Sequence, residues 1–100
     1  MKRKMKTIDI DTVPYRKGML RRQFNIDLPV YREDGYYVAS CPLFNIEICE
    51  RTIDDVCKAF LEDIQVLWEE YVEADDEELS KGAMELKQRL KESFCLAGSK

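Results

Sequence analysis

Between Ile53 and Tyr71, apolar residues recur at steps of three and four positions, and this stripe constrains the fold more than any other feature of the chain. Its members are Ile53, Val56, Cys57, Phe60, Ile64, Leu67, Trp68 and Tyr71. The spacing places them along one side of an α-helix of about five turns, and that side must be covered by other elements. Thr52 precedes the stripe as an N-cap, with Asp55 three positions later in an approximate capping box. The stripe therefore predicts a long helix that lies on a sheet.

Alternation of apolar and polar residues predicts the strands of that sheet. The predicted strands are Lys6–Val13, which suits a sheet edge, then Phe24–Val30, Tyr36–Cys41 and Phe44–Ile48. Pro29 lacks an amide donor and indicates an edge position or an irregularity. Asp34-Gly35 predicts a tight hairpin turn, because Gly35 is free to take positive φ. Short turns between successive strands favour an antiparallel meander with one buried face.

A second, narrower apolar stripe follows the long helix. It consists of Leu79, Ala83, Leu86, Leu90 and Phe94. Asp75 or Asp76 is placed to cap this helix, and Gly82 weakens it by about 1 kcal/mol relative to alanine. A narrow stripe on a terminal helix packs on its own domain or on a copy of itself. The candidate oligomer-interface residues are Leu79, Leu86 and Leu90. Residues 97–100 are predicted to be a tail.

These elements predict one α+β domain. A mainly antiparallel sheet of three to four strands is covered on one face by the long helix, and a second helix follows at the C-terminus. One hundred residues suit a single domain. Within it we distinguish a basic N-terminal arm with a candidate edge strand (1–19), a meander plus helix (20–74), and a C-terminal helix and tail (75–100).

Charge is distributed unevenly along the chain, whose net charge is -4. Residues 1–22 carry eight basic and two acidic residues, residues 23–80 carry three and sixteen, and residues 81–100 carry five and two. An acidic body between basic ends repels nucleic acid and attracts basic partners. The cluster Lys2, Arg3, Lys4 and Lys6 can contact phosphates, but such clusters are more often solvated, poorly ordered termini.

The residue types present do not indicate catalytic chemistry. The chain has no histidine, which excludes Ser-His and Cys-His nucleophile systems. Its glycines are scattered, so no phosphate-binding loop is present. Asp27 and Glu47 belong to the polar face of the predicted sheet, where two acids are typical of a solvated surface rather than of a metal-dependent nuclease. We expect no enzymatic activity and no cofactor.

The cysteines and the absence of long apolar runs bear on the compartment. Cys41, Cys49, Cys57 and Cys95 are spaced too widely for a zinc site and are expected to be buried, reduced thiols. No apolar run approaches the roughly 18 residues of a membrane span, and no apolar segment follows the basic N-terminus. We expect a cytosolic protein.

The order of elements and several residues resemble the HicB family of antitoxin-like proteins. The matching residues are Asp34, Gly35, Tyr36, Tyr37, Val38, Ala39, Cys41, Pro42, Thr52, Asp55, Ala59 and Ile64. They cover the segment from Phe24 to Glu73, half of the chain. The resemblance implies a truncated ribonuclease-H-like fold and a non-catalytic module that neutralises a small basic RNA-cleaving toxin of the HicA type by covering it.

The chain departs from the family pattern in three places. Relatives usually have Leu-Pro-Gly where this chain has Leu43-Phe44-Asn45. Relatives also place a strand after the long helix, whereas residues 75–94 are predicted to be helical here, which leaves that sheet edge to Lys6–Val13. Many end in a DNA-binding module, which one helix and a short tail cannot form.

The polar sheet face and the hairpin are therefore the first place to seek a partner. The candidate partner-binding residues are Asp27, Tyr31, Tyr36 and Glu47. The tyrosines around the hairpin favour cross-strand packing over stacking on nucleic-acid bases. Two alternatives remain open: an oligomeric domain of the same fold, which associates through the second helix, and a nucleic-acid binder that uses the basic N-terminal arm.

Overall fold

The computed structural model describes residues 3–97, and residues 1, 2 and 98–100 lie outside the described part. The strands are β1 Arg3–Tyr15, β2 Gly18–Glu33, β3 Tyr36–Cys41, β4 Ile46–Glu50 and β5 Phe94–Ala97. The helices are α1 Ile53–Leu67, extended by a π-helical turn over Trp68–Val72, and α2 Lys81–Ser93, with 3-10 turns at Pro42–Phe44 and Asp76–Glu78.

The strands form one antiparallel sheet in the order β1-β2-β3-β4. The long strand β2 pairs with β1 along one edge and shares its other edge between two strands. Residues 30–33 pair with β3, and residues 19–22 pair with β5. The predicted α+β fold, an antiparallel sheet covered by a long helix, is confirmed.

The β2–β3 hairpin turns at Asp34 and Gly35, as the sequence predicts. Both residues have positive φ, 53° and 83° respectively. Two consecutive left-handed residues define the tight turn whose twist matches that of the flanking strands. This turn fixes the register in which Val30 faces Ala39 and Tyr31 faces Val38.

One apolar core lies between the sheet and the two helices. Val56, Phe60 and Ile64 of α1 are completely buried against the inner face of the sheet. The Thr52 hydroxyl accepts a hydrogen bond from the Asp55 amide at 3.0 Å, so the predicted N-cap is confirmed. The inner-face residues of the strands are Ile10, Val13, Leu20, Ile26, Leu28, Val30, Ala39, Cys41, Ile46 and Ile48.

At the end of α1, the π-helical turn joins the helix to the β1–β2 hairpin. Trp68 packs edge-on against Tyr15, with ring centroids 6.5 Å apart. Glu73, just beyond the turn, accepts hydrogen bonds from the Tyr15 hydroxyl at 2.7 Å and from the Arg16 guanidinium at 2.8 Å. These contacts hold the far end of the long hairpin against the helix.

The C-terminal region differs from its prediction. Ser80, not Asp75 or Asp76, caps α2, and its hydroxyl accepts a hydrogen bond from the Ala83 amide. Helix α2 ends at Ser93, and the next four residues form β5, where the sequence predicted helix and then tail. Pairing with β2 and stacking of the Phe94 ring on Phe44, at a centroid distance of 5.9 Å, stabilise the extended conformation.

The strands also differ from their predicted bounds. β1 and β2 are longer than predicted because they form one hairpin, in which Arg3 and Lys4 already pair with β2. The predicted disordered terminus is thus a strand from Arg3 onward, while Lys2 lies outside the described residues. Phe24, predicted to face the core, is 48% exposed because the β1–β2 register shifts around it. Phe44 lies in a 3-10 turn and not in a strand.

Candidate protein interface on the open sheet face

The face of the sheet opposite the helices is uncovered in the part of the chain between residues 3 and 97. Side chains alternate along each strand, and the buried set on β2, β3 and β4 packs under α1 and α2 in a single core. The intervening residues therefore point to the other side, which we call the open face. Its members on β2, β3 and β4 are Asp27, Pro29, Tyr31, Glu33, Tyr36, Val38, Ser40, Glu47 and Cys49.

A row of neighbouring side chains crosses the middle of the open face. Tyr31 of β2 is opposite Val38 of β3, which is opposite Cys49 of β4. Tyr31 and Val38 are half-buried, and Cys49 is exposed. The row forms the floor of a shallow depression of about 300 Å³, whose lining also includes Glu33, Ser40 and Glu47. Such a floor, apolar with one tyrosine and with polar residues at its border, has a composition found at the centre of protein interfaces.

Glutamates flank this row on β2 and β4, and Lys4 of β1 lies opposite Tyr31 at its other end. Glu47 pairs with Ser40 at one side of the depression, and Glu33 lies at the hairpin end. Asp27 lies on β2 directly opposite Asp9 of β1. Like charges in that position destabilise a strand pair unless they are neutralised. Arg22 neutralises Asp9 through an ion pair, whereas Asp27 has no ion pair within residues 3–97.

The hairpin adds an exposed ring at the edge of the open face. Tyr36 is 37% exposed, and its ring lies under the Arg51 guanidinium at 5.2 Å. The Tyr36 hydroxyl also accepts a hydrogen bond from Arg51 at 3.3 Å. Tyr37, one position on, points to the other face, where Arg32 stacks on its ring at 5.3 Å. The cation–π contact with Arg51 holds the Tyr36 ring in place, which lowers the entropic cost of presenting it to a partner.

The four predicted partner-binding residues all lie on the open face. Tyr31 and Glu47 line the same depression, Asp27 lies farther along β2, and Tyr36 lies at the hairpin. Sequence reasoning missed Val38 and Cys49, which complete the central row. The alternation from Tyr36 to Cys41 places Val38 on the same side of the strand as Tyr36. The sequence alone could therefore have identified Val38 as a residue of the open face. Cys49 was expected to be buried and is exposed.

The predicted oligomer interface has a different environment. Leu90 is completely buried and Leu86 is 9% exposed, both in the core of their own chain. In this packing neither residue is available to a second copy. Leu79 is half-buried, in the connection before α2. The narrow stripe of α2 thus packs on its own domain, which was one of the two outcomes it predicted.

The helical side of the molecule carries a dense negative charge. Residues 53–79 contain eleven acidic side chains and one basic one, Lys58, and all eleven acids are exposed. Arg16 forms ion pairs with Glu69 and Glu73, and Lys87 with Asp76. Partial loss of solvent around its carboxyl, together with the charge of neighbouring Glu62, raises the pKa of Asp63. Eight of these eleven carboxylates form no ion pair within residues 3–97, so this side attracts cationic partners at long range.

The acidic side chains and thiols of the described residues lie apart from one another. Within residues 3–97, no three histidine, cysteine or acidic side chains converge on a point where they could hold an ion. Asp27 and Glu47, the two acids of the polar sheet face, belong to strands that are separated by β3.

All four cysteines are free thiols, of which Cys41 is buried and Cys57 is half-buried. Burial raises the pKa of the Cys41 thiol.

Comparisons with known proteins assign no family to the chain. No protein-family model, no curated protein and no solved structure matches it. Among residues 3–97, no helix combines the length and the apolar character needed to cross a bilayer. The open face is therefore interpreted from its own chemistry.

Proposed function

We propose that this protein is a non-catalytic, cytoplasmic binding module that captures a small basic protein on the open face of its sheet. By its resemblance to the HicB family, the partner is an RNA-cleaving toxin of the HicA type, and the module is its antitoxin. It requires no cofactor. The observation that carries the proposal is the row of Tyr31, Val38 and Cys49 on the open face, in a depression whose lining includes Glu33 and Glu47.

The open face has the features that binding of a folded partner requires. Its central row combines half-buried Tyr31 and Val38 with exposed Cys49, which suits a contact that excludes water. Its border carries three carboxylates, on Asp27, Glu33 and Glu47, and one nearby cation, Lys4. An excess of carboxylates favours rapid association with basic proteins and rejects acidic ones. The carboxylates of α1 and the following turns extend the same charge over the helical side, which strengthens long-range attraction.

One departure from the family pattern has a physical counterpart in the structure. The segment Leu43-Phe44-Asn45 stands where HicB-like sequences usually have Leu-Pro-Gly. Asn45 has φ 58°, in the left-handed region that glycine adopts without strain. Asparagine tolerates this conformation better than most residues. The turn can thus keep its shape without glycine, which is compatible with the proposed relationship.

Co-expression tests the proposed function. Small basic reading frames next to the gene are expressed in a bacterial host, with and without this chain, and growth is measured. We expect one of them to arrest growth and this chain to relieve the arrest and co-purify with the product. The Val38→Arg variant is expected to lose both effects, because a guanidinium in the central row repels a basic partner and blocks its packing.

A matched substitution separates binding from folding. Val66 is a 49% exposed valine on α1, far from the open face, so Val66→Arg adds the same group without touching the site. It is expected to rescue growth as the natural chain does. Asp27→Lys, which leaves the central row intact, is expected to weaken rescue. If no neighbouring frame is toxic, or if Val38→Arg rescues as well as Val66→Arg, the proposal fails.

A further inference from the structure

The two outer edges of the sheet differ in how they resist pairing with another chain. Strand β1 has register shifts between Lys4 and Lys6 and between Ile10 and Thr12, carries lysines near its start, and contains Pro14. Bulges, lysines and prolines are the devices that natural sheets use to block edge pairing. β1 is therefore a protected edge.

Strand β4 lacks these three devices, and its protection is limited to its length of five residues and its two glutamates. It pairs with β3 in an unbroken register from Cys41 opposite Ile46 to Tyr37 opposite Glu50. It contains no proline, no lysine and no bulge, and its only charged residues are Glu47 and Glu50. No strand among residues 3–97 pairs with its outer edge. Alternate backbone N–H and C=O groups of β4 are thus directed away from β3 and are available to an added strand.

Carboxylates lie on both sides of this free edge. On the open face, Glu47 lines the central depression. On the helix side, a second depression of about 260 Å³ lies between β4 and α1, and its lining consists of Glu50, Asp55, Lys58, Ala59 and Glu62. A strand added to β4 would direct alternate side chains into this second depression and the others toward Glu47.

We propose that the edge of β4 binds an extended basic segment of the protein partner by adding it to the sheet as a sixth strand. Its backbone would pair with β4, and its lysine or arginine side chains would enter the depression lined by Glu50, Asp55 and Glu62. The inference rests on the proposed function for the basic character of the partner, and it adds the mode of binding.

A second copy of this chain is a poor occupant of the same edge. Antiparallel pairing of two β4 strands about Ile48 would place Glu47 of each copy against Cys49 of the other, with no cation between them. The same pairing would bring the acidic flanks of the two α1 helices, with Asp55 and Glu62, toward each other. Like charges on the two facing flanks cost affinity, whereas a basic strand neutralises them.

Nuclear magnetic resonance of the full-length, isotope-labelled chain with a peptide probe tests the inference. The probe is a blocked ten-residue peptide of alternating lysine and valine, which suits an added strand with one cationic face. We expect shift changes and slowed amide exchange in Ile46–Glu50, with binding that weakens as salt is raised. Two control peptides separate charge from pairing: a glutamate–valine peptide, and the lysine–valine peptide methylated at every backbone nitrogen. Neither is expected to bind β4.

Substitutions in the protein give the matched comparison. Glu47→Lys together with Glu50→Lys is expected to weaken peptide binding by about tenfold or more. Glu77→Lys together with Glu78→Lys changes the net charge equally at a remote 3-10 turn and is expected to have little effect.

Three results would overturn the edge-binding inference. The first is that the methylated peptide binds as well as the unmethylated one. The second is that the lysine–valine peptide affects only the helical acids or nothing at all. The third is that the β4 amides are already protected in a self-associated dimer. A partner that relieves toxicity through Val38 while β4 exchange stays unchanged would refute edge pairing alone and leave the proposed function standing.

Discussion

Tyr15 illustrates how a single polar side chain is accommodated at the edge of the core. Its ring is buried against Trp68, and its hydroxyl donates to the Glu73 carboxylate at 2.7 Å. Burial, followed by the hydrogen bond and the negative charge of Glu73, raises the pKa of the Tyr15 hydroxyl to about 12. The folded chain therefore holds this proton more tightly than the unfolded chain does.

The raised pKa of Tyr15 predicts a loss of stability at high pH. Its contribution is complete below the ordinary tyrosine pKa of about 10, and it is lost as pH rises from there toward 12, because only the unfolded state then releases the proton readily. Tyr15→Phe should remove this part of the pH dependence. Urea unfolding of both proteins at several pH values measures it, and equal slopes above pH 10 would contradict the assignment.

At the residue scale, the sequence predicted the structure where a residue type strongly prefers one backbone conformation or one capping position. Asp34-Gly35 predicted the hairpin, and Thr52 predicted the helix start. Two other left-handed residues, Arg16 with φ 54° and Asn45 with φ 58°, had no sequence signal of that strength. Arginine rarely takes this conformation, and the hairpin closure and the contacts of Arg16 with Glu69 and Glu73 support it here.

At the scale of elements, helix α1 was predictable because one property runs along its whole length. Its cap and the first residue of its apolar stripe mark the same start of the helix, and the stripe marks its buried side. The C-terminal strand was not predictable, because Leu86, Leu90 and Phe94 continue a helical spacing through the point where the helix ends. Pairing of Leu20 with Leu96 and packing of Phe94 on Phe44 override that local pattern.

The cap of α1 gives a stability prediction at the element scale. Thr52→Ala removes the hydroxyl that accepts from the Asp55 amide and should lower the free energy of unfolding by about 1 kcal/mol. Thr52→Ser keeps an acceptor at the same position and should stay close to the natural chain. Thermal or urea unfolding of the three proteins provides the measurement. A serine variant as unstable as the alanine variant would show that the hydroxyl is not the cause.

At the scale of the whole molecule, both helices lie on one side of the sheet, and no element between residues 3 and 97 covers the other side. The sequence predicted this asymmetry, since each strand has one apolar and one polar face and the long helix can cover only one of them. It also predicted four residues of the open face, because the alternation of apolar and polar residues within a strand shows to which side of the sheet each side chain points. The neighbours of those residues depend on register, which local patterns do not determine.

The register of strand pairing determines which residues of the open face are neighbours. It aligns Tyr31 with Val38 and Cys49, and the shift around Phe24 restores Leu20 and Ile26 to the same inner face. The open edge of β4 is likewise a property of strand order, which the strand patterns alone did not reveal. The sequence thus predicted which types of residue form the candidate interface. It did not predict how these residues are arranged relative to one another.

Alkylation of the exposed cysteines tests the central claim, that the partner docks on the open face, most directly. Cys49 lies in the central row of that face, whereas Cys95, which is also exposed, lies on β5 at another part of the same side of the sheet, outside the depression. Iodoacetamide labelling is followed by mass spectrometry, with and without the small basic protein whose toxicity the chain relieves. We predict that the complex protects Cys49 while Cys95 reacts at its original rate. A bound partner that leaves Cys49 fully reactive would contradict the claim.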